Sequence, residues 1–142
     1  DIAISLGQLI PASEILVVTT PQIAAAEVAE RAGRIAHQLK QQIIGVVENM
    51  GEMSCPKCGE KTSLFGSGGG IESAKRLSNL VGADVPLIAT IPFTPQLREG
   101  GDQGNPIVIS DPNSEASKAF AQLAEKLGKR SQSLVGRRLP VS

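Results

Sequence analysis

Glu14-Ile15-Leu16-Val17-Val18-Thr19-Thr20 (EILVVTT) is followed, one helix-length later, by Ile43-Ile44-Gly45-Val46-Val47-Glu48 (IIGVVE). Both are apolar runs rich in β-branched side chains. That is the pattern of strands covered on both faces. Between them, Thr20 suits an N-cap and Pro21 the first position of a helix, where a missing N–H costs nothing. The spacing predicts a helix to about Lys40, with Ile23, Val28, Ala32, Ile35 and Leu39 on its apolar face. Glu27 with Arg31 and Glu30 with Arg34 stand i,i+4 and read as a solvated face. Strand, helix, strand predicts a mostly parallel sheet with flanking helices, an α/β fold.

The chain outside this unit continues the alternation. Asp1 to Ile10 reads as a short helical stretch, with Ile2, Leu6, Leu9 and Ile10 at helical spacing, and Pro11-Ala12-Ser13 breaks it. Asn49 stands at the carboxyl end of the second strand, and residues 50–69 form a long loop of the kind that carries function. A helix is expected over 71–81, with Ile71, Ala74, Leu77, Leu80 and Val81 inward. Pro86 to Ile91 is a third strand. Pro92-Phe93-Thr94-Pro95 is a stiff turn, and Gln96 to Gly100 a helical turn. Ile107-Val108-Ile109 reads as a brief strand or extended stretch. Ser114 caps a last helix to Leu127. Residues 1–127 make one domain, and 128–142 a basic tail expected to be poorly ordered. Ligands of such sheets bind outside the carboxyl ends of the strands. Asn49, the long loop and the Pro92 turn therefore share one face.

Composition narrows the function. In 142 residues, Lys+Arg and Asp+Glu are equal at 14 each. A net charge of zero gives no electrostatic footprint for nucleic acid. Three Phe, no Trp and no Tyr leave no stacking platform for single strands. No apolar run is long enough to span a membrane, and no signal-peptide pattern is present. Two cysteines at CxxC spacing form no disulfide framework, which suits a reducing, cytoplasmic compartment. The chain opens on Asp1 without methionine and reads as part of something longer. Missing strands would leave an unpaired edge beside 14–20 or 86–91, a template for association.

The chemistry centres on Cys55-Pro56-Lys57-Cys58-Gly59. Two intervening residues let a tight turn aim both sulfurs at one centre. Pro56 fixes φ and Gly59 allows the left-handed closure. Backbone N–H groups of such a knuckle can stabilise thiolate, the form that binds metal. The motif is half of a four-sulfur site, for zinc or an iron–sulfur cluster. A local disulfide, a redox pair and inert cysteines are the alternatives; the flanking polar and glycine residues do not open a helix as redox motifs do. His37, the only histidine, sits in the predicted helix and reads as a helix-surface or partly buried residue. Two chains sharing their thiolates across a two-fold axis would complete the site. The run Gly66-Ser67-Gly68-Gly69-Gly70 lacks the Lys-Ser/Thr of a phosphate loop. It reads as a connector that opens a helix, whose free N–H groups could receive an anion.

Taken together, VVENM, CPKCG, LFGSGGG, IPF and LREGGDQGNP resemble the Mrp/ApbC family, iron–sulfur cluster carriers of the MinD-like P-loop ATPase class. The resemblance covers Asp1 to about Leu127. It implies a homodimer that bridges a [4Fe–4S] cluster through Cys55 and Cys58 and delivers it to apo iron–sulfur proteins. It implies that Asn49 reads the edge of adenine and that Pro92 and Phe93 lie against it. It also implies ATP and Mg²⁺ in the intact protein. The family's Walker A loop and most of its switch segment have no counterpart here; Asp1 matches the end of that segment. The chain thus resembles the C-terminal part of a carrier, with no ATP hydrolysis expected of it alone. A structural zinc-binding dimerisation module is the alternative, since both metals accept four thiolates.

Overall fold

The protein is described by a computed structural model that covers residues 2–10 and 12–134. The expectations for Asp1, for the break at Pro11 and for residues 135–142 fall outside it. Helix α1 (Ile2–Leu9) leads to strand β1 (Ile15–Thr19), helix α2 (Ala25–Gln38) and strand β2 (Ile43–Gly51). A hairpin of β3 (Met53–Ser54) and β4 (Lys61–Thr62) follows, then α3 (Gly69–Val81) and β5 (Leu87–Pro92). Helices α4 (Pro95–Gln103), α5 (Ile107–Ser110) and α6 (Glu115–Leu134) complete the order. The main sheet has the order β1-β2-β5, all parallel, with Val17 opposite Val46 and Val46 opposite Leu87. Among the described residues no helix is long and apolar enough to cross a membrane.

The core joins the sheet to α2 and α3 through Val17, Ala29, Ile43, Val46, Ala74 and Leu77. Here the predicted apolar face of α2 is corrected. Its buried residues are Ala26, Ala29, Gly33 and Ala36, whereas Val28 is 65% exposed and Ile23 and Ile35 are also exposed. Small residues win because α2 and α3 approach closely: a Cβ on Gly33 would collide with Leu77 Cδ2. On α3, Leu77 is fully buried and Leu80 and Val81 pack on the core as expected, but Ile71 is 65% exposed. Of the two predicted ion pairs on α2, Glu30–Arg34 forms at 2.6 Å, and Arg76 also approaches Glu30 at 3.6 Å.

Several boundaries move for identifiable reasons. Thr20 and Pro21 do not cap α2, which starts at Ala25 behind turns from Gln22 and Ile23. The Pro21 carbonyl instead accepts the Gly69 N–H at 2.9 Å. The capping pair expected there occurs at Thr94–Pro95: Thr94 Oγ1 accepts the Leu97 N–H at 3.1 Å and opens α4. Ile107–Ile109 is helical, not extended. The Ile109 and Ser110 N–H groups bond the Pro106 carbonyl, and the Ser117 hydroxyl donates to Ile107. Tertiary context overrides β-branched preference at such sites. Ser114 caps α6 as predicted, but the helix continues past Leu127 to Leu134, where an unordered tail was expected to begin.

The glycines at the head of α3 offer a test. A Cβ on Gly69 would strike the Thr20 and Gln22 carbonyls, which are backbone and cannot swing away. A Cβ on Gly101, inside α4, meets nothing within 4 Å. Gly69→Ala should destabilise by about 1–3 kcal/mol, the range for overpacking. Gly101→Ala should stabilise by about 0.4–1 kcal/mol through the unfolded chain. Urea midpoints decide it: equal midpoints for the two variants would refute the close packing of Gly69 on the strand ends.

Candidate functional site

The residues after β2 build the site. β2 runs beyond Glu48, where its end was expected, so Asn49 lies within the strand. Pairing with β5 shifts between Glu48, opposite Thr90, and Gly51, opposite Pro92. Asn49 and Met50 occupy this irregularity, and Met50 adopts φ +60°. Asn49 is exposed there. Asn49 and Pro92 are thus close along adjacent strand ends, as the sequence suggested.

The predicted loop contains structure of its own. Met53 pairs with Thr62 and Ser54 with Lys61, an antiparallel hairpin with Cys55–Cys58 at its tip. The Gly59 N–H bonds the Cys55 carbonyl and the Cys55 N–H bonds the Glu60 carbonyl, both at 2.8 Å. Gly59 takes φ +74°, the left-handed closure anticipated for it. Both cysteines are free; Cys55 is half-buried and Cys58 exposed. The N–H of Cys58, then that of Lys57, points at the Cys55 sulfur. With a smaller contribution from the Cys58 thiol, they hold the Cys55 thiol below its ordinary value against the opposing effect of desolvation. These contacts favour thiolate, the form that reacts and that binds metal. His37 lies elsewhere, exposed in the last turn of α2. Among the described residues no group of three or more His, Cys, Asp or Glu could hold a metal. The sequence has two cysteines, half the ligand number of a four-sulfur site.

The return limb of the loop is fixed to the strand ends. Phe65 meets Phe93 edge to face, with ring centroids 5.4 Å apart. The Gly70 N–H donates to the buried Glu48 carboxylate at 2.7 Å. The glycine run therefore opens α3 and does receive an anion, but one from its own chain. A cleft of about 500 Å³ lies between strand ends, hairpin and α6. Glu48, Thr90, Pro92, Lys61, Glu115 and Lys118 contribute to its walls, whereas neither cysteine nor Asn49 nor Phe93 does. Of the residues chosen from sequence, the structure joins Pro92 to this cleft, turns Phe93 onto Phe65 and places the cysteines on the hairpin above. Glu48 and Phe65 were missed. A lone carboxylate ending an apolar buried strand was the available signal for Glu48, because a buried charge needs a partner.

Comparison with known proteins gives a consistent answer. The family model described as ParA, NUBPL iron-transfer P-loop NTPase, matches residues 1–128. An iron–sulfur cluster carrier protein of Mycobacterium bovis is 54% identical over 136 residues, which is 96% of this chain and 35% of the relative. The iron–sulfur cluster transfer protein NUBPL of Mus musculus is 35% identical over 94% of this chain and 40% of its own length. The chain thus spans little more than a third of these relatives. Among solved structures, the septum site-determining protein MinD of Pyrococcus horikoshii, complexed with Mg-ADP, superposes with a TM-score of 0.60 at 26% identity, over 90% of this chain and 44% of that one. The nucleotide-binding protein of Archaeoglobus fulgidus in complex with ADP gives 0.55 at 33% identity, over 72% and 40%. The parallel sheet agrees with the MinD likeness, the family model covers nine-tenths of the sequence, and the chain belongs to the NUBPL iron-transfer P-loop NTPase family.

Proposed function

We propose that the protein is an iron–sulfur cluster carrier in which two copies hold one [4Fe–4S] cluster between their Cys55 and Cys58 pairs and release it to apo iron–sulfur proteins. The observation that carries this reading is the knuckle itself. Two free thiols share one hairpin tip, and backbone N–H groups favour thiolate at Cys55. The cluster is cargo, so exposure of Cys58 suits its transfer: an acceptor thiol can reach that side. The hairpin fits half of such a site, and a second copy supplies the remainder.

We further assign ATP binding and hydrolysis to the intact protein, with Asn49, Pro92 and Phe93 at the adenine end. An amide side chain both donates and accepts, which matches the N6/N7 edge of adenine. Asn49 is exposed at the irregular end of β2 and stands free to do this. Phe93 would act by backing the turn after Pro92, since its ring faces Phe65.

Three measurements test these assignments. Reconstituted protein should bind about one [4Fe–4S] per two chains, and Cys55→Ser or Cys58→Ser should abolish it. Full occupancy on a monomer in native mass spectrometry would sink the shared site, and colourless protein holding zinc would favour the structural module. In the full-length protein, Asn49→Ala should weaken ATP binding by about 1–3 kcal/mol while cluster loading stays unchanged. Unaltered ATP affinity by calorimetry would make Asn49 structural. Residues 1–142 alone should not turn over ATP, because phosphoryl transfer needs a lysine and N–H groups around the phosphates. No glycine run in it is followed by Lys-Ser/Thr. Phosphate release by the purified chain, persisting after contaminating ATPases are removed, would overturn this.

A further inference from the structure

Side-chain contacts on both limbs of the cysteine loop reach the body of the protein. On the outgoing limb, Ser54 Oγ donates to Glu115 Oε2 at 2.9 Å, in an exposed position where water competes. On the return limb, the half-buried rings of Phe65 and Phe93 meet with planes 69° apart. The sequence has only three phenylalanines, and two of them are spent on this one contact. Edge-to-face pairs are orientation-dependent, so the contact fixes direction as well as distance.

The ground on either side of this pair is firm. Phe93 directly follows Pro92, the last residue of β5, and directly precedes Thr94, the cap of α4. Its backbone is therefore held from both sides. Phe65 lies three residues beyond β4 and just before Gly66. From there the chain is anchored by the Gly69 N–H on the Pro21 carbonyl and the Gly70 N–H on Glu48. The hairpin projects from this anchored base. A two-stranded hairpin of two residues per strand has little stability of its own.

We propose that Phe65 is a positioning residue: its contact with Phe93 sets where the Cys55–Cys58 knuckle stands over the strand ends. What the knuckle holds rests on the carrier reading above, but its position does not.

The test uses full-length protein carrying Phe65→Ala, Phe65→Tyr, Phe93→Ala or both alanines. Amide hydrogen exchange is followed in the metal-free state, and cluster loss to a chelator in the reconstituted state. Phe65→Ala should speed exchange across residues 53–62 about tenfold, leave β2 and α3 protected as before, and speed cluster loss several-fold. Phe65→Tyr should keep wild-type values. The double alanine variant should be no faster than either single one, because one contact is being removed. Wild-type exchange in Phe65→Ala, or fully additive effects in the double variant, would overturn the proposal. So would equal acceleration in β2 and α3, which is the mark of general destabilisation. Faster hairpin exchange in a protein that never takes up a cluster would support the positioning role and refute the carrier reading instead. A loaded wild type with an unperturbed Phe65→Ala variant would do the reverse.

Discussion

The buried carboxylate of Glu48 and the N–H of Gly70 hold the site together. Glu48 ends the apolar part of the middle strand, and Gly70 stands in the first turn of α3. The positive end of a helix is a natural place for an anion. Here it lets a charged side chain end a buried strand with its charge answered. The same contact fixes the distance between strand ends and helix, and glycine is required for it: a Cβ at position 70 would stand 2.8 Å from Glu48 Oε2 and 2.9 Å from its Cβ. Losing a hydrogen bond to a charged group costs about 1.5–3 kcal/mol. The return limb of the loop after β2 is tied to this point, so the position of the hairpin depends on it as well.

Much of this was legible in the sequence because it rests on local chemistry. The apolar β-branched runs gave three parallel strands in the predicted places. Pro56 and Gly59 gave the knuckle, and Ser114 the cap of the last helix. What was not legible depends on close approach between distant segments. Periodicity pointed to Ile23, Val28 and Ile35 as the inner face of α2, but the helix turns its alanines and Gly33 inward because α3 lies too near for anything larger. Thr20-Pro21 has every local mark of a helix start, yet the Pro21 carbonyl is taken by Gly69. The partnership of Phe65 with Phe93 joins residues on opposite sides of a helix and a strand, and no short-range pattern announces it.

The candidate site was legible in kind but not in arrangement. Cys55, Cys58, Asn49, Pro92 and Phe93 do gather at the carboxyl ends of the strands, as an open α/β sheet requires. They do not converge on one cavity. The cysteines stand on the hairpin, Asn49 lies in the irregular pairing of β2, and only Pro92 reaches the cleft beneath. In the carrier proposed above, nucleotide and cluster would therefore not touch, and the segment between them would need to be firmly held.

The hairpin and the sheet it stands on also differ in when they can form. Ser54 pairs with Lys61 across a short turn, and closing so small a loop takes well under a microsecond to a few microseconds. Val46 pairs with Leu87 across a much longer segment, which contains the hairpin and α3. Parallel pairings at such separations are slow, because the entropy of closing the loop is lost before any contact offsets it. The two cysteines are therefore brought together repeatedly on a chain that has no platform yet. During that interval they are exposed thiols at a spacing that permits a local disulfide.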